Sequence, residues 1–353
     1  MRKFFKEDGM IHKYQGFIRQ NIAPKGAGGI GIYDGDGKKV GTVALGRLSP
    51  VTKKKLYSVG IVSDVHFSET EPAWNPSGKL EAALTYFEQE GCAFVCNSGD
   101  MTQTGFYDEN DYVDDGTLTF DAAQFARYKQ ICDAHAIPVY EVCGNHESYA
   151  RPITDNLTEL ASYAGAEMYY SVTQGSDVYL FISQPQGSIP MADEALQWCY
   201  ETLEANRNKR CFVFVHPYIS DDSGNPLEAY DNPIFDGWGT KTTAFKNLLS
   251  HYKNTILFHG HSHMMWECQE LDKTANYTEV NGFRSVHIPS LCRPASIVNG
   301  SRTYQDTKSY GYLMDVYADC IVLNGRDFVG GKWVPTGTFK IDTPLRAVEE
   351  KCI

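Results

Sequence analysis

From Leu56 onward, short apolar runs alternate with amphipathic segments of helical period, and this alternation constrains the fold more than any other feature. "YSVGIVS" precedes "SGKLEAALTYFEQEG", where Leu80, Ala83, Leu84 and Phe87 recur at helical spacing and a glycine closes the segment. "AFVCN" follows, then "DAAQFARYKQICDAHA", whose Asp121 and Gln124 have the spacing of a capping box. The pattern continues through "IPVYEV", "VYLFIS", the helix "ADEALQWCYETLEAN", "CFVFV", the helix "TTAFKNLLSHY" and "TILF". The tail from Tyr310, "YGYLMDVYADCIVLNGRDF", reads as a meander of strands. The class is α/β with a strand-rich C-terminal part.

The first fifty or so residues differ. "GGIGIYDGDGKKVGTVALGRL" is two alternating runs around a Gly/Asp turn, which predicts a β-hairpin. Its "DGDGK" resembles the start of a calcium loop, but the closing glutamate and the flanking helices are missing, so it reads as a turn. "SPVTKKK" reads as a polar connector. The expected division is a small β module with its connector over 1–55, followed by one large domain over 56–353.

Charge narrows the partners. The net charge of -12 gives no drive toward nucleic-acid backbones or anionic membranes, so a nucleic-acid polymer is disfavoured. A small phosphate compound stays compatible, because bound cations reverse the field locally. No run approaches the roughly 20 apolar residues of a membrane span. "MRKFFKEDGMIHKY" lacks the apolar core of a signal peptide. The ten cysteines are scattered and none forms a CxxC pair, so they read as reduced core residues, with a cytoplasmic location as the default expectation.

The polar residues gather where the apolar runs end. After "GIVS" stand Asp64 and His66; after "AFVCNS", Gly99 and Asp100; after "VYEVC", Gly144, Asn145, His146 and Glu147. His216 follows "CFVFV", and His261 and His263 follow "TILFHG". In an α/β chain the chemistry sits past the C-terminal ends of strands. Each block alone is weak, since a lone histidine at a strand end is more often a hydrogen-bonded structural residue. Five in order, mixing imidazole with carboxylate and amide oxygens, suit borderline divalent metals such as Mn, Fe or Zn. The donors are too many for one ion.

The order DxH, GD, GNHE, H, GHxH resembles the calcineurin-like metallophosphoesterase superfamily, over about Leu56 to His263, with the strands to about Phe328 consistent with the rest of its fold. "HGHSH" and "GDMT" look closest to its small-molecule phosphodiesterase branch. The resemblance implies a four-layer α-β-β-α sandwich of two mixed β-sheets. It implies two divalent metal ions, one held by Asp64, His66, Asp100 and His263, the other by Asp100, Asn145, His216 and His261. Asp100 would bridge them, and a bridging hydroxide would attack phosphorus in line. His146 would face the substrate as proton donor or transition-state stabiliser. His259 falls outside the pattern and reads as structural, and Glu147 as a support that orients a neighbouring ligand.

One block departs from the pattern. Phosphoprotein phosphatases of the superfamily continue GDxVDRG, whereas "GDMTQTG" has Gln103 and Thr104 at the last Asp and Arg. Gln103 is expected to accept the His146 ring hydrogen bond without stabilising an imidazolium. Loss of the arginine removes a clamp for a phosphate dianion, which tilts the expectation toward a phosphodiester over a monoester. Arg293, in "PSLCRP", is a candidate replacement contact. Tyr149 and the acidic loop "FYDENDYVDDG" are candidates for the substrate rim. Against the hydrolase stands a non-catalytic protein that keeps the fold, although every ligand position is filled. The hairpin module is a further candidate, as the contact for a protein partner.

Overall fold

The computed structural model describes residues 29–33, 39–44, 54–68, 71–103, 122–148, 168–183, 193–217, 242–268, 276–298 and 301–343. Near the N-terminus, β1 (Gly29–Tyr33) pairs antiparallel with β2 (Lys39–Ala44), with a bulge at Ile32/Tyr33. This is the expected hairpin; its "DGDGK" turn lies outside the described residues.

Two mixed sheets carry most of the rest. In the first, β3 (Tyr57–Val62), β4 (Val95–Asn97) and β5 (Val139–Glu141) run parallel. The strand β14 (Tyr310–Val316) pairs antiparallel with β3 on the other side and leads to β15 (Cys320–Asp327). The short β16 (Lys332–Trp333) and β17 (Phe339–Asp342) both pair with β15. The second sheet runs β10 (Tyr277–Val280), β11 (Phe283–His287), β9 (Thr255–His259), β8 (Cys211–Val215), β7 (Asp177–Ile182), β6 (Tyr169–Gln174). Its four middle strands are parallel and its two edge strands antiparallel.

Alternation along each strand explains the layers. Phe212, Phe214, Tyr179, Phe181, Ile256 and Phe258 of the second sheet share one core with Val59, Ile61, Tyr312 and Met314 of the first. The intervening residues face the other way. Cys211, Val213, Val215, Leu180 and Leu257 pack on helices α4 (Asp193–Ala205) and α5 (Thr242–His251) through Cys199, Leu203, Phe245 and Leu249. On the first sheet, Val62, Val95 and Leu313 pack on α1 (Pro76–Gln89) and α2 (Ala122–Ala134) through Leu84, Phe87, Phe125 and Tyr128. The order is helices, sheet, sheet, helices. At the end of β8 away from the ligand blocks, buried Arg210 forks onto Asp177 and reaches the Tyr317 carbonyl and Thr343 Oγ1, tying the two sheets together.

The expected helices form, with differences at their ends. Asn75 caps α1, its side chain accepting from the Gly78 N–H at 3.1 Å. The capping-box reading of α2 is corrected at Gln124, whose Oε1 accepts from the Gln103 N–H at 2.9 Å. Asp121 lies outside the described residues. The antiparallel pair β12 (Ala295–Val298) and β13 (Ser301–Tyr304) was not expected from the sequence. No described helix is long and apolar enough to cross a membrane. None of the nine described cysteines is disulfide-bonded.

Candidate metal centre

All five polar blocks emerge at the C-terminal ends of parallel strands: β3, β4 and β5 of one sheet, β8 and β9 of the other. Main-chain contacts help bring the blocks together. The Asp64 N–H bonds the Gly99 carbonyl at 2.9 Å, and the Gly260 N–H bonds the His216 carbonyl at 3.1 Å. Glycine lets the loops meet. A Cβ on Gly144 would lie 2.1 Å from Asp100 Oδ1, and one on Gly260 would lie 1.9 Å from Ser63 Oγ.

The ligand-type atoms fall into two groups that share Asp100. Atoms of Asp64, His66, Asp100 and His263 lie within 4.8 Å of one another, and so do those of Asp100, His216 and His261. His66 Nε2 is 3.0 Å from His263 Nε2, and His263 Nε2 is 3.2 Å from Asp64 Oδ1. His216 Nε2 is 3.0 Å from Asp100 Oδ2 and 3.2 Å from His261 Nδ1. Imidazole lone pairs and carboxylates converging on one point fit a cation. Asp64 Oδ1, closed off from solvent, accepts no hydrogen bond among the described residues. Asn145 is buried at the first position of α3 (Asn145–Ser148), beside His146, whose N–H donates to Asp100 Oδ1 at 3.0 Å.

Main-chain carbonyls fix which ring nitrogen faces the centre. His216 Nδ1 donates to the Ser98 carbonyl at 2.8 Å, and His263 Nδ1 to the Arg293 carbonyl at 3.1 Å. His146 Nδ1 faces the Gln103 carbonyl at 3.1 Å, leaving its Nε2 3.9 Å from Asp100 Oδ2. The charges are set by competition. Burial opposes the negative charge of Asp64, but the nearby His263 outweighs it and holds the carboxyl well below its usual range. Burial also works against His216, yet the Asp100 carboxylate raises that ring to about 9. His66 and His261, where burial wins, are pushed down to about 3.

The backbone at the centre is unusual. Seven non-glycine residues among those described have positive φ, and five are Asp64, His66, Asp100, His261 and His263. Their φ values of 54° to 70° are left-handed, a conformation that costs about 1 kcal/mol or more for a residue with a side chain.

One support differs from expectation. Gln103 meets His146 through its main-chain carbonyl; its side-chain Oε1 is buried and accepts no hydrogen bond among the described residues. The side-chain contact expected for Gln103 is therefore corrected. Glu147 supports the neighbouring Asp100, as expected, and does so through backbone N–H groups. Its carboxylate accepts from the N–H groups of Asp100 (3.1 Å), Thr102 (2.8 Å) and Gly144 (2.7 Å). His259 lies outside both groups, buried beside His287. Arg293 stands at the shoulder of the centre, and Tyr149 and the acidic loop lie outside the described residues. Sequence reasoning missed Trp74 and Tyr304. Trp74 Nε1 donates to the His66 carbonyl at 2.9 Å, and the Tyr304 ring stands 5.7 Å from that of His263. "EPAWNP" and "SRTYQD" carry no motif that could have marked them.

Two mixed sheets face to face, with Asp, His and Asn at converging strand ends, define a metal-dependent phosphoester hydrolase. The chain belongs to the calcineurin-like phosphoesterase family, whose model matches residues 57–265. Among solved structures it is similar to a dimetal phosphatase from Danio rerio, with a TM-score of 0.57 and 15% identity over 82% of this chain and 100% of that one. The phosphoesterase Yfce from E. coli aligns with a TM-score of 0.37 and 11% identity, over 81% of this chain and 99% of that one. At 15% identity the likeness to the Danio rerio structure is one of fold. No curated protein matches the chain at the sequence level.

Proposed function

We propose that the protein hydrolyses a small phosphodiester, or less readily a monoester, at a centre of two divalent ions (Mn, Fe or Zn). The observation that carries this reading is Asp100, whose carboxylate belongs to both ligand groups. Asp64, His66, Asp100 and His263 would hold one ion; Asp100, Asn145, His216 and His261 the other. When bound, such a pair supplies an activated water at neutral pH and takes up charge on the phosphoryl oxygens.

The chain's own residues do the rest. Ser98 and Arg293 carbonyls keep the His216 and His263 rings turned so that Nε2 meets the centre. His146, with Nδ1 held by the Gln103 carbonyl and Nε2 3.9 Å from Asp100 Oδ2, would assist the leaving alkoxide. Asn145, Arg293 and Tyr149 are the proposed substrate contacts. The preference for a diester rests on the missing phosphate clamp at Thr104.

The test compares bis-(p-nitrophenyl) phosphate with p-nitrophenyl phosphate on metal-stripped protein with Mn restored. Asp100→Asn runs alongside. Mn-dependent turnover that disappears in the variant supports the hydrolase, and the ratio of the two rates chooses the ester class. Tightly bound metal with no turnover of either ester would instead support a non-catalytic protein.

A further inference from the structure

Arg293 is held in a way its sequence context gives no hint of. Its guanidinium carbon lies 4.3 Å from the centroid of the Trp74 ring and 4.2 Å from that of Tyr304. Two aromatic rings therefore flank the cation within stacking distance. Among the described residues no carboxylate pairs with it, and its buried Nε–H finds no acceptor. Trp74 hangs from the His66 carbonyl, Tyr304 stands against His263, and the Arg293 carbonyl receives the His263 ring. The stack thus leans on both histidines of the first ligand group.

One buried ammonium fastens the chain on two sides of this stack. Lys79, one turn into α1 and only 2% exposed, donates from Nζ to the Cys292 carbonyl at 2.6 Å and the Asp306 carbonyl at 2.7 Å. Cys292 precedes Arg293, and Asp306 follows Tyr304 by two residues. Among the described residues no carboxylate forms an ion pair with Lys79, so burying its charge is costly and its compensation is these two carbonyls. The same helix start presents Trp74. The hairpin β12–β13 completes the frame, with Ala295 opposite Tyr304 and the Ala295 N–H bonded to the His263 carbonyl at 2.8 Å.

We infer that Trp74, Arg293 and Tyr304 form a built subsite for a phosphoryl oxygen, met edge-on by the guanidinium, and that Lys79 is the positioning residue that sets it. This rests on the proposed phosphoesterase reading and adds the device that orients the substrate. With two aromatic rings already flanking its guanidinium, Arg293 recognises an anionic acceptor and not a flat leaving group. Lys79 acts through Arg293, without touching substrate.

The experiment is a double-mutant cycle of Lys79→Met and Arg293→Ala on Mn-loaded protein, with two readouts. Inorganic phosphate is titrated by calorimetry, and KM and kcat are measured for bis-(p-nitrophenyl) phosphate and a methyl analogue. Each single variant is expected to weaken phosphate binding and raise KM about tenfold, one lost charge-assisted contact, with kcat and metal content little changed. The double variant should be no worse than Arg293→Ala within about twofold, because both changes remove one contact. Losses that multiply in the double variant overturn the positioning role, as does an unchanged KM in Lys79→Met. A loss confined to the aryl ester overturns the anion assignment, and so does failure of phosphate to bind the metal-loaded wild type. If neither ester is hydrolysed by the wild type, the hydrolase reading fails, while the phosphate titration still decides the subsite. Should Lys79→Met fail to fold, Lys79→Arg, which keeps the charge and changes its reach, must show a smaller KM rise with the same non-additivity.

Discussion

His146 Nδ1 faces the main-chain carbonyl of Gln103 at 3.1 Å, so the ring is oriented by backbone and not by the side chain at position 103. Any residue at 103 with the same φ and ψ offers that carbonyl. Gln103→Ala is expected to leave kcat and KM within about twofold of wild type, since no hydrogen bond to His146 is removed. His146→Asn should lower kcat by about 10²- to 10⁴-fold for poor leaving groups and less for p-nitrophenol. Steady-state kinetics on an alkyl and an aryl ester check both. A Gln103→Ala loss comparable with that of His146→Asn would show that the side chain matters after all.

Metal stoichiometry reads the sharing of Asp100 directly. His216→Ala removes a member of one ligand group and should leave about one ion per chain, whereas Asp100→Asn should deplete both. Elemental analysis after desalting measures this. Equal metal loss in the two variants would remove the bridge from the scheme.

The Glu147 carboxylate joins the Gly99–Thr102 and Gly144–Asn145 turns through three main-chain N–H groups. Glu147→Gln keeps the shape but turns an amide N–H₂ toward donors. A loss of about 2 kcal/mol in stability is expected, with metal affinity weakened about 10- to 100-fold. Denaturant melts with and without Mn separate the two effects.

Away from the centre, His135 sits between Glu88 (3.0 Å) and Glu81 (3.2 Å). Burial works against the charged ring, but the two carboxylates outweigh it and raise its pKa. The hydrogen bond from His135 lowers that of Glu88. The His135 contribution is complete below its unfolded pKa near 6.5 and is lost as pH rises through the higher folded value. The Glu88 contribution is present above its unfolded pKa near 4.5 and is lost as pH falls. His135→Gln should therefore lower Tm most near pH 5.5, by about 1 °C, and not at pH 9. A Tm difference constant across that range would assign the effect to packing.

Removal of residues 1–52 tests the N-terminal module. We expect a chain starting at Lys53 to keep wild-type turnover while losing association with a protein partner, read by cross-linking in cells. Loss of folding would instead make the β1–β2 hairpin part of the enzyme's core.

The strands and the polar blocks at their ends were legible because both are local patterns. An apolar run such as "CFVFV" ends in His216, and "TILFHG" leads into His261 and His263, so a few residues state both the strand and what it delivers. Contacts between distant segments have no such signature. Lys79 and Cys292 are 213 positions apart, and nothing in either neighbourhood names the other. Gln124 had the right spacing for a helix cap, yet a tertiary partner, the Gln103 N–H, took its side chain. The hairpin β12–β13 escaped notice because its exposed "SRTY" strand lacks the apolar alternation that marks a strand.

The five left-handed residues of the candidate metal centre have a consequence for how this chain could change over time. At each of Asp64, His66, Asp100, His261 and His263, glycine would relax the main chain, since it alone adopts such angles freely. Selection for heat resistance alone, acting on the metal-free chain, would favour those replacements and dismantle the site one ligand at a time. Durability and chemistry thus pull this protein's sequence in opposite directions at the same five positions.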